Sequence, residues 1–158
     1  MLATLRNMSV EEPGQRLLLQ AGALKALTNL LPDAMLSALK LEGEAQAKFL
    51  SEARVGCRSV ELRSCVQVTG VLRNLAAPKE SAKEFAETDS VPALCAILRR
   101  FASQAALMLN VCRVLSKLSL HQTCRSMITQ HPDTVKALVS LLTLHNTKLV
   151  RQLACDEI

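Results

Sequence analysis

Three stretches of this 158-residue chain carry the same apolar register, and that repetition constrains the fold more than any other feature. The segment Val68-Thr69-Gly70-Val71-Leu72-Arg73-Asn74-Leu75 is matched 43 residues later by Val111-Cys112-Arg113-Val114-Leu115-Ser116-Lys117-Leu118, with every apolar position kept. Sixty-seven residues earlier, Thr4-Leu5-Arg6-Asn7-Met8 matches the end of the same segment. Thirteen residues beyond the leucines at 5, 72 and 115 stand Leu18, Phe85 and Ile128. A second apolar frame follows at offsets of 19, 19 and 20: Leu24-x-x-Leu27-x-x-Leu30-Leu31, Val91-x-x-Leu94-x-x-Ile97-Leu98 and Val135-x-x-Leu138-x-x-Leu141-Leu142.

The spacing within each copy is helical. Val68, Val71, Leu72 and Leu75 form the i, i+3, i+4, i+7 stripe of a buried helix face. Pro78 is expected to open a short helix through Phe85, because proline is tolerated in a first turn. Asp89 and Ser90 are expected to cap a further helix from Val91 to about Arg100. Pro132-Asp133 plays the same part before Val135–Leu142, while Pro13-Gly14 and Gly22 punctuate the first copy. Composition agrees with an all-α chain. Apolar residues make up 49%, chiefly the helix formers Leu and Ala, and Phe49, Phe85 and Phe101 are the sole aromatics. That inventory excludes an aromatic-rich β-sandwich and a base-stacking nucleic-acid reader.

A unit of about 43 residues with three helices falls in the range of armadillo and HEAT repeats. The residues resemble the armadillo family. Its helix ending in Leu-x-Asn-Leu and its Gly-Ala-Leu-x-x-Leu-x-x-Leu-Leu segment read here as Leu5-Arg6-Asn7-Met8 and Gly22-Ala23-Leu24-Lys25-Ala26-Leu27-Thr28-Asn29-Leu30-Leu31. The later copies keep the apolar frame and lose the Gly-Ala. The resemblance implies a right-handed α-solenoid of about three repeats, truncated at both ends. It divides into a first repeat over 1–36, an insert over 37–63, a second repeat over 64–106, a third over 107–148 and the start of a fourth over 149–158. The spacing between the first two copies exceeds 43 by 24 residues, and this surplus around Leu41–Arg63 reads as a helical extension or an exposed loop. Cys155 and Ile158 stand 43 residues after Cys112 and Leu115, and neither end reads as a polar capping repeat.

Charge and cysteines narrow the function. The net charge is +5 with no long like-charge block, so a weakly basic face and an acidic partner are expected rather than a nucleic-acid arm. Six cysteines lack any C-x-x-C. With no signal peptide and no membrane-spanning apolar run, they read as reduced thiols of an intracellular, cytoplasmic protein. Cys112, His121, Cys124 and His131 are spaced 9, 3 and 7 apart, which fits no zinc pattern. Cys124 with His121 is the nearest approach to a nucleophile pair, but no orienting third group is evident. No nucleotide-binding, metalloprotease or hydrolase motif occurs. No catalytic residue, metal ligand or cofactor is assigned.

The resemblance places function on a surface. In armadillo proteins the third helix of each repeat lines a concave groove, where an asparagine ladder binds the backbone of an extended peptide. The matching positions are Asn7 and Asn74, with Lys117 replacing the third, and the expected groove-exposed neighbours are Arg6, Gln67, Arg73, Asn110 and Arg113. An asparagine amide offers both donor and acceptor, which suits a peptide bond. The alternative is that Asn7 and Asn74 merely finish their helices. The family's peptide-transport members also carry a Trp four residues before the Asn. Here Ala3, Gly70 and Arg113 occupy those positions, against a receptor for lysine-rich signals. Arg6, Arg73, Arg113 and Lys117 point instead to an acidic, extended segment. The expected function is a non-catalytic protein-interaction scaffold; the alternative is a structural segment of a larger assembly, such as a ciliary or cytoskeletal one.

Overall fold

The computed structural model describes residues 1–39, 60–130 and 132–144. Among these, every regular element is an α-helix. The order is α1 (Leu2–Met8), α2 (Glu12–Gln20), α3 (Ala23–Leu39), α4 (Val60–Leu75), α5 (Ser81–Glu87), α6 (Ser90–Arg100), α7 (Ala105–Ser119), α8 (Gln122–Thr129) and α9 (Pro132–Leu144). Each of the three copies thus contributes a triplet of helices, and equivalent helices pack against each other. The helices α1, α4 and α7 lie side by side, as do α3, α6 and α9, with the short helices α5 and α8 paired beside them.

The apolar stripe explains this order. Val68, Val71, Leu72 and Leu75 of α4 are at most 1% exposed, and Val111, Val114, Leu115 and Leu118 of α7 are at most 3% exposed. The single residue of each short helix that the spacing singled out, Leu18, Phe85 or Ile128, is buried as well. Each large side chain removed from water in this way contributes roughly 1.5–3 kcal/mol. The middle copy is covered on both sides, so Val91, Leu94, Ile97 and Leu98 of α6 are all fully buried.

The third copy departs from the expected register. Thr134 and Leu141 of α9 are buried, whereas Val135 and Leu142 are 47% and 60% exposed. Thr134 stands 19 residues after Leu115, so the structural offset matches the other two copies, and the apparent offset of 20 is one residue out. A one-residue shift turns a helix by about 100°, enough to carry a valine from the core to the surface. Leu30 in the first copy is likewise 41% exposed, although Leu24, Leu27 and Leu31 beside it are buried.

The caps also differ from expectation. Neither Asp89 nor Ser90 caps α6 through its side chain. The Ser90 hydroxyl instead donates to the Phe85 carbonyl at 3.1 Å and lies 2.7 Å from Thr88 Oγ1, tying α6 back to α5. Pro78 precedes α5 rather than entering it, and its carbonyl accepts from the Ser81 hydroxyl at 2.7 Å. The repeat boundaries expected at 36/37, 63/64 and 106/107 fall inside α3, α4 and α7, where neither proline nor glycine stands at the joint to end a helix. The boundary at 148/149 and most of the expected insert lie outside the described residues.

Two glycines are required by the first copy. Gly22 adopts φ +69 just beyond α2, the left-handed conformation that ends many helices, and its N–H donates to the Leu19 carbonyl at 2.9 Å. At the positions matching Gly22, Asp89 has φ −75 and Pro132 begins a helix, so the later copies have no need of glycine there. Gly14 lets the start of α2 press against the end of α1, and a Cβ there would overlap the Met8 carbonyl. The same joint is closed by a bond that recurs: Gln15 Nε2 donates to the Ser9 carbonyl at 3.0 Å, and the matching Arg125 Nη1 donates to the Ser119 carbonyl at 3.1 Å.

Gly14→Ala should therefore destabilise the protein despite alanine's helix preference of about 1 kcal/mol. Leu72→Ala should cost about 2–5 kcal/mol by opening a cavity at the centre. Chemical denaturation of both variants checks this; a Gly14→Ala protein as stable as the parent would contradict the close approach of α2 to α1.

Candidate binding face

The row formed by α1, α4 and α7 carries Arg6, Arg73, Arg113 and Lys117, and it is joined by a repeated polar contact. Arg6 Nη1 on α1 donates to Gln67 Oε1 on α4 at 3.5 Å, and Arg73 Nη1 on α4 donates to Asn110 Oδ1 on α7 at 3.2 Å. Arg6 matches Arg73 in the repeat, and Gln67 matches Asn110. The same arginine-to-amide rung therefore forms at two successive junctions. Its separations of 61 and 37 residues differ by the 24-residue surplus between the first two copies.

Arg6, Gln67, Arg73, Asn74, Arg113 and Lys117 are half-buried on this row, and Asn7 is exposed at the end of α1. Asn110 differs from expectation: it is 4% exposed. Its Nδ2 donates to the Val66 carbonyl at 3.1 Å and to Thr69 Oγ1 at 3.4 Å, so it holds α7 to α4 from inside rather than facing a partner. Burying its amide is affordable because its acceptor and donor both find partners.

Asn74 is also committed internally. Its Nδ2 donates to Ser9 Oγ at 2.9 Å, and its Oδ1 accepts from Arg73 Nε at 3.4 Å and from Arg73 Nη2 at 3.5 Å. The clamp that an asparagine ladder would offer to a peptide bond is therefore already engaged at this position. Lys117, which replaces the third asparagine, donates from Nζ to the Arg73 carbonyl at 3.3 Å near the end of α4. Cations are favoured beside helix C-termini, where carbonyls lack helical partners.

Arg6, Arg73 and Arg113 form a cluster of like charge. Burial holds the Arg73 guanidinium below its ordinary value, and the neighbouring Arg113 and Arg6 charges push it the same way. Arginine stays protonated all the same, so the strain is carried as unneutralised positive charge. Among the described residues no carboxylate pairs with any of the three; the ion pairs join Arg16 to Glu12, Lys83 to Glu87, and both Arg99 and Lys136 to Asp133. Gly70 contributes what the sequence showed only as a missing aromatic. A Cβ at Gly70 would make ordinary van der Waals contact, 3.4 Å from Arg6 Nε and 3.6 Å from Asn110 Nδ2, so Arg6 lies across α4 over this position and only a larger side chain would contest the space.

The cysteines have a different chemistry. Cys124 is fully buried, and its Sγ donates to the Ala82 carbonyl at 3.4 Å. It borders an open hollow of about 630 Å³ between α5 and α8, which Lys79, Lys83, Glu87 and His121 also line. Burial raises the thiol of Cys124 above its ordinary value, and it does the same for Cys95 against the opposing effects of Thr134 and Arg99. The Cys112 thiol is pushed up to about 11 by burial alone. These are the opposite of the depressed values that activate a nucleophile. Among the described residues no group of three or more His, Cys, Asp and Glu side chains could hold a metal ion, and His131 lies outside them. No described helix is long and apolar enough to cross a membrane.

Thiol labelling at pH 8 should follow from these shifts. Cys112 should react about a hundredfold more slowly than an unperturbed cysteine, because its thiolate fraction falls tenfold per unit of pKa. Its raised value stabilises the folded state below about pH 9, and that contribution is lost as pH rises toward about 11. Fast labelling of Cys112 or Cys124 in the native protein would contradict the placement of these thiols.

No family model matches the chain, and no curated protein and no solved structure is significantly similar to it.

Proposed function

We propose that this chain is part of an armadillo-like, right-handed α-solenoid and a non-catalytic protein-interaction scaffold. Its binding face is the α1–α4–α7 row, read as the concave groove, and its partner is an acidic, extended protein segment. The observation that carries this reading is the cluster of Arg6, Arg73 and Arg113, three half-buried cations with no carboxylate partner among the described residues. A protein rarely holds like charges together without a compensating group, since the repulsion costs free energy that an incoming anion returns. The helix triplets and the repeated arginine-to-amide rung support the repeat architecture. Free thiols at Cys95, Cys112 and Cys124 suit a reducing, intracellular setting.

The commitment of Asn74 and Asn110 to internal bonds shapes the proposal. Recognition by charge is favoured over an asparagine ladder reading a peptide backbone, with exposed Asn7 the remaining amide of that ladder. A glutamate-rich peptide carrying a fluorescent label should bind with micromolar to millimolar affinity and weaken steeply with salt. Arg113→Glu and Arg73→Glu should each reduce that binding at least tenfold. Anisotropy titrations test it: binding unchanged in both variants would remove the groove assignment.

One observation favours the second reading, a structural segment within a larger assembly. Val135, Val139 and Leu142 stand at helical spacing on α9 and are 47%, 58% and 60% exposed, a stripe suited to packing on a further element. Sedimentation separates the two. A soluble monomer at tens of micromolar favours the scaffold, and concentration-dependent association lost on Val139→Lys favours the assembly.

A further inference from the structure

The cationic cluster is more specific than a basic patch, because neutral groups position its members. Arg6 is held by the Gln67 amide oxygen, and Arg73 by the amide oxygens of Asn110 and Asn74. A neutral acceptor orients a guanidinium without cancelling its charge, whereas a carboxylate would do both. Asn110 is itself locked by Val66 and Thr69, and the rung it makes with Arg73 is thereby anchored to the core. The Arg6 side chain lies over Gly70 beside Asn110, within van der Waals reach of a Cβ placed there. Of the five donors on each guanidinium, Arg6 uses one, Arg73 three and Arg113 none in bonds to the described residues.

We propose that Arg6, Arg73 and Arg113 form a seat for a doubly charged tetrahedral oxyanion, the phosphate of a phosphorylated side chain on the partner protein. The inference rests on the acidic-segment reading above and narrows it. A carboxylate offers one charge in a plane. A phosphomonoester offers nearly two charges and three acceptor oxygens in a tetrahedron, so several guanidiniums can engage it from different directions. Planar forks with free N–H groups are the side chains best suited to this, and lysine would supply only a point charge. The depressed value of Arg73 agrees, since a dianion would relieve the repulsion from both neighbours at once.

The test uses the whole chain and two kinds of probe. Inorganic phosphate at pH 7.5 should shift the arginine side-chain NMR signals of Arg6, Arg73 and Arg113 together, against a chloride control at equal ionic strength. A labelled peptide of Gly, Glu and Ser with one central phosphoserine should bind at least tenfold more tightly than the same peptide with Glu at that position. Lowering the pH to 5.5, where the phosphate loses its second charge, should remove most of that preference. Arg113→Gln, at a side chain without internal bonds, and Arg73→Lys, which keeps the charge but not the fork, should each abolish the preference. Circular dichroism confirms that both remain folded. If the phosphoserine and glutamate peptides bind equally and both are weakened by Arg113→Gln, the phosphate seat is wrong and the acidic groove stands. If neither peptide binds and phosphate moves no arginine signal, both readings fall.

Discussion

Lateral packing of α4 between α1 and α7 is the contact on which the rest of the structure depends. The helix α4 also meets α3 on its other flank, so its apolar stripe is shared among three neighbours. Val71, Leu72 and Leu75 are completely buried as a result. Remove that burial and α1, α3 and α7 lose the surface they share. A helix of 16 residues gains little from its own hydrogen bonds in water, so tertiary burial must supply the stability.

The same packing sets the chemistry of the face. Stacking equivalent helices brings equivalent residues into line, and a residue kept at one position in two copies becomes a rung once the helices pack. Arg6 and Arg73 meet Gln67 and Asn110 in this way. Repetition also gathers like charge, because neighbouring copies bring arginines from the same face together. In most proteins an acidic residue would answer them. Here amides do, and the positive field is left facing outward.

Much of the fold was legible in the linear chain. The 3.6-residue period predicted the helices, and the 43-residue register predicted which apolar residues share a core; Leu18, Phe85 and Ile128 were found by position alone and all are buried. The third copy of that register misled by one residue, because Val135 and Leu142 satisfied the apolar pattern while a buried Thr134 did not look like a core residue. The caps at Asp89 and Ser90 misled for a related reason: hydroxyl and carboxylate side chains near a helix start have several local partners, and Ser90 found the Phe85 carbonyl.

The candidate site divides in the same manner. Which residues are basic and which repeat positions they occupy could be read directly, and the rungs were encoded as an arginine in one copy and an amide in the next. What each side chain does there was decided by tertiary structure. Asn74 read as a ladder residue and Asn110 as a groove-exposed neighbour, yet both are spent on holding helices together. Gly70 was only a position lacking an aromatic until α1 packed on α4 and brought Arg6 across it. Residue type and period are local properties, so the chain alone determined helix, register and charge. Burial and hydrogen-bond partners come from residues 37 to 65 positions apart, and only packing decided which polar groups remain for a partner.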